Sequence, residues 1–167
     1  MILASPLTYG SANEAFMQVT ATVEPSCTVT ASNLNFGPYN LAMSNETATI
    51  ALLCTNGTKF RINLGAGNSG SVADNNRSMV SKDKLLKYSL YQDVTMKKPW
   101  GSDSSSLSGT GSGKLQYFKV YGHIPENQRL PSALYTDNVL ISIIIDGVSG
   151  FGYQLSVGMT VASFVEP

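Results

Sequence analysis

An all-β sandwich is the fold this sequence predicts, and three observations predict it. Short segments alternate apolar with polar residues one by one, the period of a strand with one buried face. Between them lie clusters that favour turns: Asn56-Gly57, the Gly-rich stretches at 67–70 and 109–113, and Asp74-Asn75-Asn76. No stretch repeats apolar residues at the i, i+3, i+4, i+7 spacing of a helix face. Short strands at this spacing, joined by polar loops, pack as two layers.

In chain order, the first strand is expected where Met17, Val19, Ala21 and Val23 alternate with Gln18, Thr20 and Thr22. A β-branched and apolar run over 47–54 gives the next. Phe60, Ile62 and Leu64, alternating with Arg61 and Asn63, give a third. Leu86, Tyr88 and Leu90 alternate with Lys87, Ser89 and Tyr91, and 114–124 carries aromatics on both faces. Val139, Ile141, Ile143 and Ile145 alternate again. The tail has the longest one-sided pattern: Tyr153, Leu155, Val157, Met159 and Val161 alternate strictly with Gln154, Ser156, Gly158, Thr160 and Ala162.

Residues 17–25 (MQVTATVEP) and 159–167 (MTVASFVEP) agree at five of nine positions. Chance likeness between short strands is one explanation. The other is that the tail copies the opening strand of a related domain or subunit. Residues 1–12 read as a signal-peptide remnant or an expression leader. That leaves 13–146 as the sandwich and 147–167 as a linker and complementing strand.

Composition narrows the function. Eleven Lys+Arg balance eleven Asp+Glu, and 13% of the 167 residues are charged, about half the usual share of roughly 25%. Without net charge or clustered Lys and Arg, the chain is not built to hold a nucleic acid or an acidic membrane. Ser (21), Thr (13), Asn (12) and Gly (15) exceed a third of the chain, so hydroxyls and amides keep the surface wet. That profile suits a secreted protein. Cys27 and Cys54, with 26 residues between them, read as a disulfide made in an oxidising compartment. Two free buried thiols in a cytosolic protein are the competing reading.

Catalysis has little to stand on. His123 is the only imidazole, so a multi-histidine zinc site is impossible, and paired cysteines leave no thiolate. No G-x-S-x-G turn leads from a strand into a helix. The run Gly109-Thr110-Gly111-Ser112-Gly113-Lys114 looks like a phosphate loop but has Leu115 where Ser or Thr must follow the Lys, and reads as a hairpin loop. Carboxylates are scattered singly, apart from Asp93 and Asp103, so no glycosidase pair is indicated. A calcium site at Asp74, Asn75 and Asn76 is weaker than a plain turn. The chain is expected to be no enzyme and to hold no metal or cofactor.

Cys27 followed by Leu34-Asn35-Phe36-Gly37-Pro38-Tyr39 resembles the opening of the spore coat protein U domain family. Leu53-Cys54-Thr55-Asn56-Gly57 resembles its second cysteine region. The likeness continues in order through Arg77 with Met79, 86–93 (LKYSLYQD), Trp100-Gly101, 120–125 (VYGHIP), Gln128 and Tyr135-Thr136-Asp137, and covers 16–145. One departure is Ala133, where the family usually has Gly before a Tyr-x-Asp turn.

The resemblance implies an immunoglobulin-like antiparallel β-sandwich that lacks one strand. It implies a subunit of an archaic (Csu-type) chaperone–usher pilus, secreted through the periplasm to the cell surface and used in attachment and biofilm formation. Partners would be a periplasmic pilus chaperone, the usher, and a neighbouring subunit or second domain that supplies the missing strand by β-augmentation. The tail residues Tyr153, Leu155, Val157, Met159 and Val161 have the pattern to fill such a groove in cis, which makes the C-terminal segment a donor-like strand. The N-terminal domain of a two-domain tip adhesin is the expected place in the fibre. A shaft pilin with a fused donor strand is one alternative. A secreted carbohydrate-binding module, marked by exposed aromatics such as Tyr117 and Tyr121, is another. An adhesin would meet an abiotic or host surface through apolar residues stranded in polar loops: Val72, Val94, Met96 and Leu107. Trp100 is assigned to the fold.

Overall fold

The computed structural model describes residue 10 and residues 13–69, 75–146 and 153–167. Its strands are β1 (Cys27–Ala31), β2 (Leu34–Tyr39), β3 (Ser44–Cys54), β4 (Lys59–Leu64), β5 (Arg77–Ser81), β6 (Lys84–Tyr91), β7 (Leu107–Thr110), β8 (Leu115–Ile124), β9 (Ala133–Ile145) and β10 (Tyr153–Val165), with a short 3₁₀ turn at Asp103–Ser105. One layer is ordered β1-β3-β8-β6. The other is built around β9, with β4 and then β7 on one side and β10 and then β2 on the other. β5 pairs with both β6 and β9 and so stitches the layers together. All pairings are antiparallel except β10 with β2.

Alternation fixes which side chains enter the core. β3 sends Ala48, Ile50, Leu52 and Cys54 inward, and β8 answers with Val120 and Ile124. Between these two on β8 is Gly122. A Cβ there would come within 2.6–2.7 Å of Leu34 and Phe36, so glycine is what lets β2 close over the opposite layer. Cys27 and Cys54 are register partners on β1 and β3 and form the disulfide.

Two expectations need correcting. The alternating run at 17–23 forms no strand: residues 13–26 carry no regular structure, and Phe16, Met17, Val19 and Val23 are exposed. Alternation makes a strand possible, but an unpaired strand leaves its backbone groups without partners and gains no burial. Tyr135-Thr136-Asp137 is no turn either. It lies inside β9, with Tyr135 and Asp137 facing inward and fully buried.

That inward Asp137 belongs to a buried polar cluster. Its carboxylate accepts from the backbone N–H groups of Asn68 (2.7 Å) and Asn138 (2.8 Å) and from the Tyr88 hydroxyl (2.6 Å). Arg77, also fully buried, donates to the carbonyls of Gly65 (2.8 Å), Trp100 (2.8 Å) and Leu64 (3.2 Å) and to Asn75 Oδ1 (2.7 Å). Burial pulls the guanidinium below its ordinary pKa, while Tyr88 and Asp137 push it back up. Burial, reinforced by the hydrogen bond to Asp137, pushes the Tyr88 hydroxyl far up, so it stays a donor. The indole of buried Trp100 donates to Ile62 O at 3.0 Å. Many of the residues that carry the family likeness are therefore the ones that satisfy the interior's polar groups and pin the β4–β5 and β6–β7 connections.

Candidate functional site

The chemistry of this fold lies in a groove. β9 pairs along its whole length with β10, from Ala133 opposite Val165 to Ile145 opposite Tyr153. On its other edge β10 runs parallel to β2, from Val161 opposite Leu34 to Val165 opposite Tyr39. The register shifts between Ala162 and Phe164, where β2 carries an extra residue and Gly37 takes φ +68°. β10 is thus an interior strand supplied by the end of the chain.

Its inward side chains fill the space between β9 and β2. Met159, Val161, Ser163 and Val165 are buried, while Leu155 and Val157 pack half-buried against the core. Ser163 Oγ donates to Gly37 O (2.9 Å), and Thr160 N–H donates to Asn33 Oδ1 (3.1 Å). Burying a side chain such as Met159, Val161 or Val165 is worth roughly 1.5–3 kcal/mol, so these three together stabilise the fold by about 4–9 kcal/mol. Without a strand here, the edges of β9 and β2 and the apolar floor beneath would face water.

The structure separates the two matching nonapeptides. Met159 has 0% exposure in the groove, whereas its counterpart Met17 has 85%. Val161 and Val165 are buried while Val19 and Val23 are exposed. The same spacing of Met-x-Val-x-small-x-Val-Glu-Pro stands once inside the sandwich and once free.

The proposed surface residues do not form one group. Val72 lies outside the described residues. Val94 is 70% exposed at the tip of a turn that the Asp93 carboxylate clamps by accepting from Lys98 N–H (2.8 Å), Lys97 N–H (3.2 Å) and the Thr95 hydroxyl. Met96, at φ +55°, is half-buried in that turn. Leu107 opens β7 and packs against the core, so it is no loop residue. Tyr117 and Tyr121 share the outer face of β8, with Tyr121 opposite Tyr91 of β6. His123 Nδ1 pairs with Asn45 Oδ1 at 2.6 Å, an ordinary cross-strand contact between β3 and β8. Among the described residues no group of three His, Cys, Asp or Glu could hold a metal.

A two-layer all-β sandwich in which β10 lies between β9 and β2, with an open edge on each side without it, places the chain in the class of immunoglobulin-like β-sandwiches. More narrowly, the description of the Spore Coat Protein U domain matches residues 13–142, and the chain belongs to that family. It is similar to Protein U of Myxococcus xanthus, 34% identical over 79 residues, which are 47% of this chain and 44% of that protein. Among solved structures, its fold resembles the complex of CsuC with CsuE, a chaperone with a tip adhesion subunit from archaic chaperone–usher Csu pili of Acinetobacter baumannii (TM-score 0.57, 21% identity, 73% of this chain and 40% of that one). It also resembles CssB complemented with a donor strand from CssA, of the enterotoxigenic Escherichia coli colonization factor CS6 (TM-score 0.55, 12% identity, 83% and 97%). The chain spans less than half the length of Protein U and of the matched Csu chain.

Proposed function

We propose that the chain is a subunit of a chaperone–usher type pilus, exported through the periplasm to the cell surface, whose sandwich is finished by a donor strand. The observation that carries this is β10, inserted between β9 and β2, with its inward pattern repeated at 17–25. A groove of this kind needs partners before it is filled. A periplasmic chaperone, the usher, and a neighbouring subunit or second domain are the partners that would cover it.

Within such a pilus, the chain acts as a tip adhesin domain in surface attachment and biofilm formation. Val94 supports this reading as an apolar tip held on a carboxylate-clamped turn with Met96 beside it. A second reading, a structural shaft subunit, is favoured by the exposed alternation of residues 13–25. A subunit at the far end of a fibre has no neighbour to receive that segment. Val94→Ser separates the two. Covering one valine on a hydrophobic surface is worth roughly 1.5 kcal/mol, so a tip adhesin loses attachment about tenfold while its unfolding midpoint stays put. Unchanged attachment by intact fibres refutes the tip reading. Fibre loss on Val19→Asp, with attachment insensitive to Val94, marks a shaft subunit.

A further inference from the structure

The side chains that the β1-β3-β8-β6 layer turns away from the core make a face of their own. Along β8, Tyr117, Lys119 and Tyr121 point outward in succession, with Tyr117 67% exposed. A strand rises about 3.3 Å per residue, so the two rings stand about 13 Å apart with the ammonium midway. Tyr91 of β6 lies opposite Tyr121, adding a third ring beside it. On the β3 side, Thr47 is opposite Tyr121, Thr49 opposite Lys119 and Asn45 opposite His123. Large aliphatic side chains come only at the far end of β8, where Leu53 faces Leu115. At the outward positions of the four strands the charged residues are Lys87 and Lys119, and no carboxylate stands among them. Among the described residues the ion pairs are Arg61–Asp146 and Lys84–Asp83, so Lys119 has no anionic partner.

We propose that this face is a binding site for an acidic oligosaccharide, with uronate rings laid on Tyr117 and Tyr121 and a ring carboxylate on Lys119. A sugar ring has a C–H face and a hydroxyl edge. Tyrosine answers both: its ring carries a negative face that attracts C–H groups, and its hydroxyl sits at the rim. The His123–Asn45 pair supplies what the hydroxyl edge needs. One imidazole nitrogen and one amide atom are spent on each other at 2.6 Å. Whichever of the two donates, one donor and one acceptor remain facing outward, which suits neighbouring hydroxyls. The positive sign of the face selects carboxylated sugars over neutral ones, because Lys119 has no carboxylate of its own to turn to. The distance between Tyr117 and Tyr121 exceeds one sugar ring, so the ligand is a short chain of them. None of these residues belongs to the Val94 turn, so the site stands whether or not the chain is a tip adhesin.

A titration of the isotope-labelled full chain with tetragalacturonate, followed by amide shifts, tests this. Shifts are expected to gather on the β3, β8 and β6 residues around Tyr117, Lys119 and Tyr121. Tyr117→Ala and Lys119→Gln should each weaken binding about threefold to fivefold with an unchanged unfolding midpoint, since both side chains are exposed. The fully methyl-esterified tetramer should bind the native chain as weakly as tetragalacturonate binds Lys119→Gln. Lys59→Gln removes the same charge from the other layer and should leave affinity unchanged. Absence of shifts into the millimolar range overturns the site, and so does an equal loss in Lys59→Gln and Lys119→Gln, which would reduce the effect to net charge. A dimer in sedimentation that Tyr117→Ala dissolves assigns the face to a second copy and overturns the site as well.

Discussion

Met159 and Met17 occupy the same position in two nonapeptides that agree at five of nine positions, and the structure assigns them opposite energetic weight. Met159 is fully buried between β9 and β2; Met17 is exposed at 85%. Truncating a buried methionine to alanine costs about 2–5 kcal/mol, the lost transfer energy plus the cavity left behind. The whole fold has a stability of about 5–15 kcal/mol, so Met159→Ala removes a large share of it. Surface truncations stay within about 0.5 kcal/mol, so Met17→Ala should be silent. In equilibrium urea unfolding, with a slope near 2 kcal/mol/M, the Met159→Ala midpoint falls by about 1–2.5 M while that of Met17→Ala does not move. Two silent substitutions would refute the claim that β10 completes the core. Two equally costly ones would show that residues 17–25 are buried too.

Other outcomes follow from the same coordinates. Replacing Cys27 and Cys54 with Ser opens a loop of sequence separation 27, which costs about 3.5 kcal/mol in the chain-entropy model and lowers the urea midpoint accordingly. Arg77→Met strands the carbonyls of Leu64, Gly65 and Trp100. The cost is about 3–5 kcal/mol, seen as a melting temperature lower by roughly 10 °C; a change of a degree or two would contradict the role given to the guanidinium. Asp93 is held below the ordinary carboxylate range, first by the Thr95 hydroxyl and then by the Lys98 and Lys97 N–H groups, with desolvation opposing. A depressed carboxylate contributes its order above the unfolded value of about 3.9 and loses it as pH falls through the lower folded value. The amide resonances of Lys97 and Lys98 should therefore shift with a midpoint below about 3.9, and Asp93→Asn should abolish that titration.

Much of the fold was legible in local pattern. Alternation located β4, β6, β9 and β10, because a half-buried strand writes its two faces into the sequence, while β3 showed as a β-branched and apolar run and β8 by aromatics on both faces. The bond between Cys27 and Cys54 was legible from count and context alone. β2 escaped because Gly37 and Pro38 argue against a strand; Pro38 is tolerated where the bulge has already shifted the pairing with β10. β5 escaped because Arg77 occupies a position a strand pattern would give to an apolar residue. Its burial is intelligible only once the carbonyls of Leu64, Gly65 and Trp100 converge on it. Leu107 was misplaced in a loop because its neighbours are serines, although pairing with β4 makes Leu107–Thr110 a strand.

The repeated nonapeptide marks the boundary between the two kinds of information. By itself the sequence determined that residues 17–25 and 159–167 could each be a one-sided strand, with Met, Val, a small residue and Val on one face. Only the tertiary structure decided which becomes one. A strand is stabilised by the edges it pairs with and the floor it covers, and those belong to β9 and β2, not to the segment itself. The tail reaches them and adds Leu155 and Val157, where residues 13 and 15 offer only Asn and Ala.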